Sequence, residues 1–347
     1  MRLTARTDFV AMRAPFTAGH GTVTDRDLVL VSLEAADGRI GYGEAAPLES
    51  YDGVSPAEVT AALEDCRPVL AEYPDAAPIA DVLARCGEAT VLSQALAAID
   101  LALWDLAGRR TREPVWRLLG ADTPAPVTVN RTITASDRSG AAQEAAQARV
   151  DGFSAVKVKV AIGDDAGRLA AVRAFAGPQM AIRIDANGAW SGAEALATLD
   201  ALEPVGIELC EEPVSGVPAI RALSRLTDIP LALDESADDP QALVAPPAAD
   251  LICLKVSRCG GITGTIQTAE RARAAGYGVY LASTLDGPLG IAAALHAAAV
   301  IHPDRACGLA TLELFADRTD PLTPVRGTLA PPTTPGLGEE LISWYGR

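Results

Sequence analysis

Short apolar segments alternate with helix-like segments through the second half of the chain, from residue 123 to residue 324. The apolar segments are "VTVNRTI", "AVKVKV", "AIRIDA", "GIELCEEP", "LALDES", "LICLKVS", "GVYLAST" and, more weakly, "CGLATLEL". From the second onward, their starts fall roughly 20–30 residues apart, which is typical of strand–helix units. Such units build a parallel sheet, and seven or eight of them can close into a β/α barrel. An open doubly wound sheet is the alternative, but no G-x-G-x-x-G follows a first strand.

The first 122 residues have a different pattern, with strands followed by helices. The stretch 27–47, "DLVLVSLEAADGRIGYGEAAP", alternates in polarity and contains a hairpin turn signal at "ADG". Ser55-Pro56 is a typical helix start, and "VLSQALAAIDLALWDLAGRR" has apolar residues at helical spacing. We expect this last helix to end at its Ala-Gly pair, at Gly108. The sequence therefore predicts an α+β domain ahead of the barrel.

Composition excludes some classes of function. The net charge is −16 and the pI is near 4.6, which argues against nucleic-acid binding, because contact with phosphates needs a basic face. No uncharged apolar run reaches the ~18 residues of a membrane span, so we expect no membrane partner. The six cysteines are scattered without a C-x-x-C, and "MRLTARTDFV" has no signal-peptide character. We therefore expect free thiols and a cytoplasmic location.

The predicted strands end in charged residues. The second to sixth strands end, in order, with Lys157 and Lys159, Asp185 and Asn187, Glu211 and Glu212, Asp234 and Glu235, and Lys255. The carboxyl ends of barrel strands converge on one mouth, where barrel enzymes have their active sites. One such strand end is usually a helix cap or a solvated turn. Five in strand order predict a shared site of carboxylates flanked by lysines.

Three neighbouring carboxylates repel one another unless a cation lies among them. Oxygen ligands select a hard divalent ion, so the sequence predicts Mg²⁺, with Mn²⁺ as a substitute. Zn²⁺ is disfavoured because the histidines, at 20, 296 and 302, lie elsewhere in the sequence. In a partly dry pocket beside this ion, we expect a lysine pKa to fall toward neutrality, so that the lysine can act as a base.

Taken together, "GYGEAAP", "ALAAIDLALWDLAGR", "KVKV", "IDANGAW", "EEP", "LDES" and "LKVSRCGGI" resemble the enolase superfamily, in its muconate lactonizing enzyme subgroup, over essentially the whole chain. The resemblance implies a (β/α)7β-type modified TIM barrel in residues 123–324. It also implies an α+β capping domain, 1–122, completed by a segment of about 325–347. In this superfamily Mg²⁺ binds a substrate carboxylate, and the proton α to it is removed to give an enediolate. Members are often multimeric, so a homo-oligomer is left open.

The resemblance also assigns roles to residues. It implies that the Mg²⁺ ligands are Asp185, Glu211 and Asp234. Glu211 is preferred to Glu212 because the first Glu of the "EEP" motif is the usual ligand. The catalytic residues would be Lys159 as base, Lys255 on the opposite face, and Lys157 tuning Lys159. Asn187 and Glu235 would orient the ligands or Lys255.

The subgroup contains o-succinylbenzoate synthases, N-succinylamino acid racemases, dipeptide epimerases and cycloisomerases, which share these core residues. The segment "ASTLDGPLG", in which we expect Ser283, Thr284 and Asp286 to bind substrate, looks most like the synthases, which form a menaquinone precursor by syn-dehydration. Lys255 could then act as a cation–π partner of the ring. Dipeptide epimerases commonly have an Asp-x-Asp pair, whose nearest counterpart is Asp317 and Asp320, one residue wider apart. Racemisation, epimerisation and cycloisomerisation therefore remain as alternatives.

Classes other than an enzyme fit less well. A non-catalytic barrel would be expected to have lost a lysine or a carboxylate, and a simple metal-binding module leaves the lysines without a purpose.

Residues 13–27 are expected to form a loop between two strands that closes over the mouth, where His20 or Arg26 could meet a distal carboxylate; a solvated hairpin is an equal alternative. We interpret Arg258 as a structural residue at the rim of the mouth.

Overall fold

The computed structural model describes residues 1–19, 21–75 and 77–346. It begins with an antiparallel sheet of three strands, β1 (Arg2–Ala18), β2 (Gly21–Glu34) and β3 (Ile40–Ala45), in the order β1-β2-β3. The turn from β2 to β3 falls at the predicted "ADG", where Gly38 N–H donates to Ala35 O at 3.0 Å. The segment expected as a loop, 13–27, is largely strand, because β1 and β2 stay paired up to the tip after an irregularity between Ala11 and Phe16.

Five helices follow the sheet: α1 (Glu49–Asp52), α2 (Pro56–Glu72), α3 (Ile79–Ala89), α4 (Ser93–Thr111) and α5 (Val115–Leu118). Helix α2 starts where predicted, with a reciprocal capping box between Ser55 and Glu58 that satisfies two free backbone donors. Helices α2–α4 cover one face of the sheet, and their apolar side chains form a separate core around Leu33, Leu63 and Ile99. These elements confirm the predicted α+β character of this part of the chain.

The predicted end of α4 is wrong. The helix continues past Gly108 to Thr111 and ends with Arg112 in the left-handed region, at φ 59°. Gly108 is required for a different reason, since a Cβ at this position would lie 2.6 Å from Cα of Gly336. The glycine therefore permits a close approach of the C-terminal segment to α4.

The remaining elements alternate strands with helices. They are β4 (Val127–Thr128), β5 (Arg131–Ile133), α6 (Arg138–Val150), β6 (Ala155–Lys159), α7 (Asp165–Ala176), β7 (Ala181–Asp185), α8 (Gly192–Leu202), β8 (Ile207–Glu211), α9 (Val217–Leu223), β9 (Leu231–Leu233), β10 (Leu251–Leu254), α10 (Ile262–Ala275), β11 (Gly278–Leu281), α11 (Pro288–Ile301) and β12 (Thr328–Leu329). Short 3₁₀ helices lie at Glu203–Val205, Glu235–Asp238, Leu312–Leu314 and Leu341–Trp344.

Strands β5 to β11 form one parallel seven-stranded sheet in sequence order, and this confirms the predicted barrel-type fold. The expected eighth strand is reduced to a few bridging residues between the two edges of the sheet. Cys307 N–H donates to Thr128 O at 2.8 Å on one side, and Gly308 N–H donates to Leu281 O at 2.8 Å on the other. This segment closes the ring, so that the carboxyl ends of the strands face a common mouth.

Within the seven-stranded sheet of the described residues, the strand–helix alternation is interrupted once. Between β9 and β10 the chain forms the 3₁₀ turn Glu235–Asp238 and a loop that contains Pro240, Pro246 and Pro247. Proline lacks the N–H that a helix interior needs, which accounts for the missing α-helix.

No helix in the described part of the chain is long and apolar enough to cross a membrane. All six cysteines are free thiols, as expected.

The first domain joins the barrel through buried polar groups. The Arg26 guanidinium donates to the carbonyls of Pro47 at 2.7 Å and Thr284 at 3.1 Å. The Glu44 carboxylate accepts from Gly287 N–H at 2.7 Å and from the Tyr345 hydroxyl. The C-terminal segment thus contacts the capping sheet at Tyr345, while its strand β12 pairs with β4. The domain boundaries near 122 and 324 stay a prediction.

Replacement of Glu44 should change the pH dependence of stability. Burial, and next the nearby Asp286 carboxylate, raise the pKa of Glu44 from its ordinary 4.5 to about 8. Between these values the folded state binds more protons than the unfolded state, so the free energy of unfolding falls as pH rises. Because one pKa unit corresponds to about 1.4 kcal/mol, this fall in the free energy of unfolding should be on the order of 2–4 kcal/mol. Glu44→Gln should abolish it.

The measurement is urea unfolding of parent and variant at pH 5 and pH 8. The difference between the two proteins isolates Glu44, since every other titrating group is common to both. Glu339→Gln, at an exposed position of the C-terminal segment, is the control and should leave the profile unchanged. Parallel profiles for the parent and Glu44→Gln would contradict the assignment.

Candidate active site

Two lysines from β6 lie among buried carboxylates at the mouth of the barrel. Lys157 Nζ lies 2.7 Å from Asp185 Oδ2 and 2.5 Å from Glu211 Oε1. Lys159 Nζ donates to Asp185 Oδ2 at 2.6 Å and to Asn187 Oδ1 at 3.0 Å. The period of two along a strand places both lysines on the interior face, and neighbouring strands supply the carboxylates. A single carboxylate oxygen, Asp185 Oδ2, therefore binds both ammonium groups.

The third lysine lies across the mouth. Lys255 follows β10, which is separated from β6 by three strands, and in a closed barrel this places it opposite Lys159. Its Nζ donates to Asp234 Oδ2 at 2.6 Å and lies 4.2 Å from the ring centroid of Tyr51. The chain contains no other lysine. Every ammonium side chain of the protein is thus in this one cluster, and all other side-chain cations with a fixed charge are arginines.

The carboxylates at the mouth raise the pKa of two of its lysines, Lys157 and Lys255. Burial alone would lower the pKa of Lys157, but the negative charges of Asp185 and Glu211 outweigh it and raise that pKa well above its ordinary value. For Lys255, Asp234 likewise outweighs burial, so its pKa is also raised. Each of the three lysines is paired with a carboxylate. The fall in lysine pKa that we expect beside a bound divalent cation stays a prediction.

The two glutamates of "EEP" point in different directions. Glu211 faces the barrel interior, where its Oε2 accepts from the Tyr280 hydroxyl at 2.7 Å. Glu212 has φ 39° and turns away, accepting from the backbone N–H of Asp234 at 2.8 Å and of Ser236 at 3.2 Å. Burial raises the pKa of Glu212 to about 8. Glu211 therefore shares the interior with the lysines, while Glu212 supports the loop after β9.

The donors at the mouth fit a hard divalent cation. Asp185, Glu211 and Asp234 are all buried, and they come from the adjacent strand ends of β7, β8 and β9. Carboxylate oxygens of Glu211 and Asp234 lie within 4.8 Å of each other and of the Cys253 sulfur. A cluster of carboxylates that contains no histidine suits Mg²⁺, because this ion prefers oxygen ligands. Asp185 is bound by two lysines, so a cation that takes this carboxylate competes with their ammonium groups.

Asn187 holds a central position beside this cluster. Its backbone N–H donates to Asp185 Oδ1 at 3.0 Å, and its side-chain Nδ2 donates to Glu235 Oε1 at 2.8 Å. Its remaining amide atom, Oδ1, accepts from Lys159. The amide is therefore fixed in one orientation, which agrees with an orienting role for Asn187 and Glu235.

A cavity opens above the cluster, and the predicted substrate-binding residues take different places around it. Ser283 and Thr284 line the cavity. The Thr284 hydroxyl, however, is engaged by Asp286 Oδ1 at 2.6 Å. Asp286 is buried behind the wall, is not among the described lining residues, and lies beside Glu44 and Arg26. Its position suits support of the wall better than direct contact with a ligand.

Tyr51 and Thr311 are two polar residues among the lining residues that sequence reasoning missed. The Tyr51 hydroxyl donates to Asp234 Oδ1 at 2.9 Å, and the Thr311 hydroxyl lies 2.9 Å from the Ser283 hydroxyl. Tyr51 comes from the first domain, and nothing local in "LESYDGV" indicates a contact with a strand end of the barrel. Thr311 lies in the weak eighth-strand segment. Its place in that predicted strand was the only sign in the sequence that it could lie at the mouth.

The remaining candidates that the structure describes do not line the cavity. The Arg26 guanidinium is buried and bound to backbone carbonyls, so the suggestion that it meets a distal carboxylate is wrong. His20 lies outside the described residues. Arg258 donates to the carbonyls of Asp234 at 3.3 Å and Glu235 at 3.0 Å, which agrees with a structural role. Neither Asp317 nor Asp320 is among the described residues that line the cavity.

The barrel and its carboxylate–lysine mouth together define a β/α-barrel enzyme of the metal-assisted, proton-abstracting class. Residues 1–120 match the mandelate racemase / muconate lactonizing enzyme N-terminal domain, and residues 140–343 match the enolase C-terminal domain-like family. The chain belongs to the enolase superfamily, in its muconate lactonizing enzyme subgroup. The predicted family is confirmed.

Similar proteins carry out several different reactions. The chain is 30% identical to D-Ala-D/L-Ala epimerase of Cytophaga hutchinsonii, over 95% of this chain and 92% of that protein. It is 41% identical to o-succinylbenzoate synthase of Mycobacterium tuberculosis, over 60% of this chain and 66% of that protein. The solved structure of N-succinyl Arg/Lys racemase from Bacillus cereus has a TM-score of 0.89 and 26% identity, and covers 100% of this chain and 99% of its own.

Loss of one carboxylate should weaken Mg²⁺ binding. Asp185→Asn removes a negative charge from the cluster, and we expect the affinity for Mg²⁺ to fall about tenfold or more, because Mg²⁺ binds amide oxygen less strongly than carboxylate. Isothermal titration calorimetry measures this directly. Asp200→Asn, the same change at an exposed position of α8, should bind Mg²⁺ like the parent. Unchanged affinity in Asp185→Asn would exclude this residue as a ligand.

Proposed function

We propose that this protein is an o-succinylbenzoate synthase, which removes a proton α to a carboxylate and eliminates water from a cyclohexadiene precursor. The observation that carries the proposal is the character of the cavity wall outside the carboxylate–lysine cluster. Asp234 is the only carboxylate among the described lining residues, and it belongs to the cluster. A substrate with a free ammonium group would therefore find no anionic partner on that wall.

The same wall suits a ring with an acyl tail. Its apolar part comprises Phe16, Ala18, Val23, Leu48, Ala282 and Leu285, which can pack against a six-membered carbon ring. Its polar part consists mainly of hydroxyls: those of Ser50 and Thr132, and the hydrogen-bonded pair Ser283 and Thr311, which has one O–H left to donate to a carbonyl or a second carboxylate. The identity of 41% to an o-succinylbenzoate synthase supports the same choice.

Lys159 is the group that we assign to move the proton. It lines the cavity, and Asp185 and Asn187 hold its Nζ in a defined position. In a syn-dehydration the α-hydrogen and the hydroxyl leave from the same face. A neutral Lys159 can therefore take the proton as the C–H bond breaks, and the resulting ammonium can return it to the departing hydroxyl, so that one water is released.

Lys255 lies on the opposite side and needs no proton transfer in this scheme. Its ammonium already lies over the ring of Tyr51, and Lys255 also lines the cavity. It can therefore lie against the other face of a substrate ring and stabilise negative charge that develops there. Lys157 lies deeper, between Asp185 and Glu211, where it holds these two carboxylates together.

Asp185, Glu211 and Asp234 are the residues that we assign to hold Mg²⁺. The ion would supply positive charge next to the substrate carboxylate and so stabilise the charge that forms when the α-proton leaves. The protein contributes the dry, oxygen-lined position at the strand ends and the second-layer contacts of Tyr280 and Asn187.

Replacement of the base should abolish most of the activity. Lys159→Ala should lower the dehydration rate by about 10²–10⁴, the usual contribution of a general base. Lys255→Ala, as the matched control, should lose less, because it removes only charge stabilisation. Absorbance at the product band reports the rate, and circular dichroism reports the fold. A folded Lys159→Ala enzyme within about tenfold of the parent would assign the proton transfer to another group.

Racemisation of an N-acylated amino acid is the second candidate, and one observation favours it. Lys159 and Lys255 both line the cavity and come from opposite sides of the barrel, which is the arrangement that a two-base inversion needs. An acyl group on nitrogen would remove the ammonium that the wall does not accommodate.

An assay in deuterium oxide separates the two reactions. We expect rapid ring formation from the cyclohexadiene precursor and a lower kcat/KM for inversion of N-succinyl amino acids, followed by NMR of the α-proton. In a two-base racemase the product of inversion carries deuterium, because the second lysine delivers a solvent-derived proton to the other face. Robust inversion together with negligible dehydration would replace the synthase assignment by the racemase.

A further inference from the structure

We propose that the capping domain positions two of the three cavity lysines separately, Lys159 through the tip of the β1–β2 hairpin and Lys255 through Tyr51. The inference rests on the proposed function in taking these lysines as the groups that act on the two faces of the substrate. Gly19, Asn187 and Tyr51 are positioning residues in this scheme, since each acts through a lysine.

The capping domain reaches Lys159 through one amide oxygen. Asn187 Oδ1 accepts from Lys159 Nζ at 3.0 Å and from the backbone N–H of Gly19 at 3.2 Å. The rest of Asn187 is fixed by its contacts with Asp185 and Glu235, and its backbone has φ 48°. A shift of the hairpin tip therefore moves or releases the same oxygen that holds the lysine.

The hairpin tip has little freedom at this contact. A Cβ on Gly19 would lie 2.8 Å from Cβ of Asn187 and 3.4 Å from the Ala186 carbonyl oxygen. Any side chain at position 19 must displace either the tip or Asn187. Gly19→Ala is therefore a direct means of disturbing the Lys159 side, without changing a residue of the barrel.

The Lys255 side depends on a phenol. The Tyr51 hydroxyl accepts from Lys255 Nζ and from Arg258 at 2.6 Å, and it donates to Asp234. Tyr51 lies on α1, which is itself tied to α4, because Gln94 donates to Asp52 Oδ2 at 2.9 Å. A helix of the capping domain thus holds the Lys255 ammonium together with Asp234 of the barrel.

The two contacts lie on different segments of the cap, the hairpin and α1, and they reach opposite sides of the mouth. A change in one segment should therefore alter the lysine on its own side more than the lysine across the barrel. This arrangement lets a substitution in the cap change which face of a substrate reacts, while the metal-binding carboxylates stay the same.

The unusual lysine content of the chain permits a clean test. Protein labelled with [13Cε]lysine and saturated with Mg²⁺ should give three side-chain signals, all from the mouth. Lys157→Arg, Lys159→Arg and Lys255→Arg assign them by loss of one signal each. Tyr51→Phe keeps the ring and removes the hydroxyl, so it should shift the Lys255 signal most. Gly19→Ala should shift the Lys159 signal most.

Matched controls are available for both variants. Tyr73→Phe changes a tyrosine that packs against the capping-domain core, and Gly87→Ala changes a helical glycine with no atom within 4 Å of its added Cβ. Both controls should leave the three lysine signals in place. Equal shifts of Lys159 and Lys255 in either test variant, or no shift in both, would overturn the inference.

Isotope exchange provides the functional arm of the test. With both enantiomers of an N-succinyl amino acid in deuterium oxide, Lys159→Ala and Lys255→Ala identify which α-proton each lysine exchanges. Tyr51→Phe should slow exchange on the Lys255 face, and Gly19→Ala on the Lys159 face, each by about tenfold relative to the other face, since small misplacements of a reacting group cost this much or more.

The two arms distinguish the inference from the proposed function. Absence of exchange and of dehydration in the parent enzyme would refute the proposed function, and the lysine spectra would then decide the positioning by themselves. Exchange in the parent that each variant lowers equally on both faces would refute the separate positioning and leave the proposed function intact.

Discussion

The ion pairs between the lysines and the strand-end carboxylates are the interaction on which the rest of the site depends. Lys157 and Lys159 share Asp185, and Lys255 is bound by Asp234 on the other side. Buried charges are tolerated only when they are paired and hydrogen-bonded, so each group stabilises the others in place. This pairing competes with the binding of a metal ion. A divalent cation must take over carboxylate oxygens that now accept from ammonium groups.

The cavity wall that would select a substrate is held by the cap as well as by the barrel. Arg26 binds carbonyls on both sides of the domain junction, and Glu44 accepts from the N-terminus of α11. Thr284, a lining residue, is fixed by its carbonyl to Arg26 and by its hydroxyl to Asp286. Buried polar contacts of this kind lock side chains and loops in one arrangement. The wall is therefore built from residues far apart in the sequence, and its shape is a property of the junction.

Local patterns explain which features could be predicted from the sequence. The spacing of apolar segments predicts the barrel, and the polar residues at strand ends predict the cluster, because parallel strands bring their ends together whatever lies between them. Gly108 was misinterpreted as a helix end, since its partner Gly336 is not visible in the local pattern. Tyr51 was missed for the same reason. The carboxylate partners of the lysines could not be predicted from spacing alone, and the fall in lysine pKa expected beside a bound cation stays a prediction.

The central claim is that three carboxylates on adjacent strands hold a divalent cation between two lysines that face each other across the cavity. A crystal structure with Mg²⁺ and o-succinylbenzoate tests it most directly. The account predicts Mg²⁺ bound to Asp185, Glu211, Asp234 and a carboxylate of the ligand, with Lys159 and Lys255 on opposite faces of the ring. A metal ion bound away from these carboxylates, or a ligand with both lysines on one face, would contradict it.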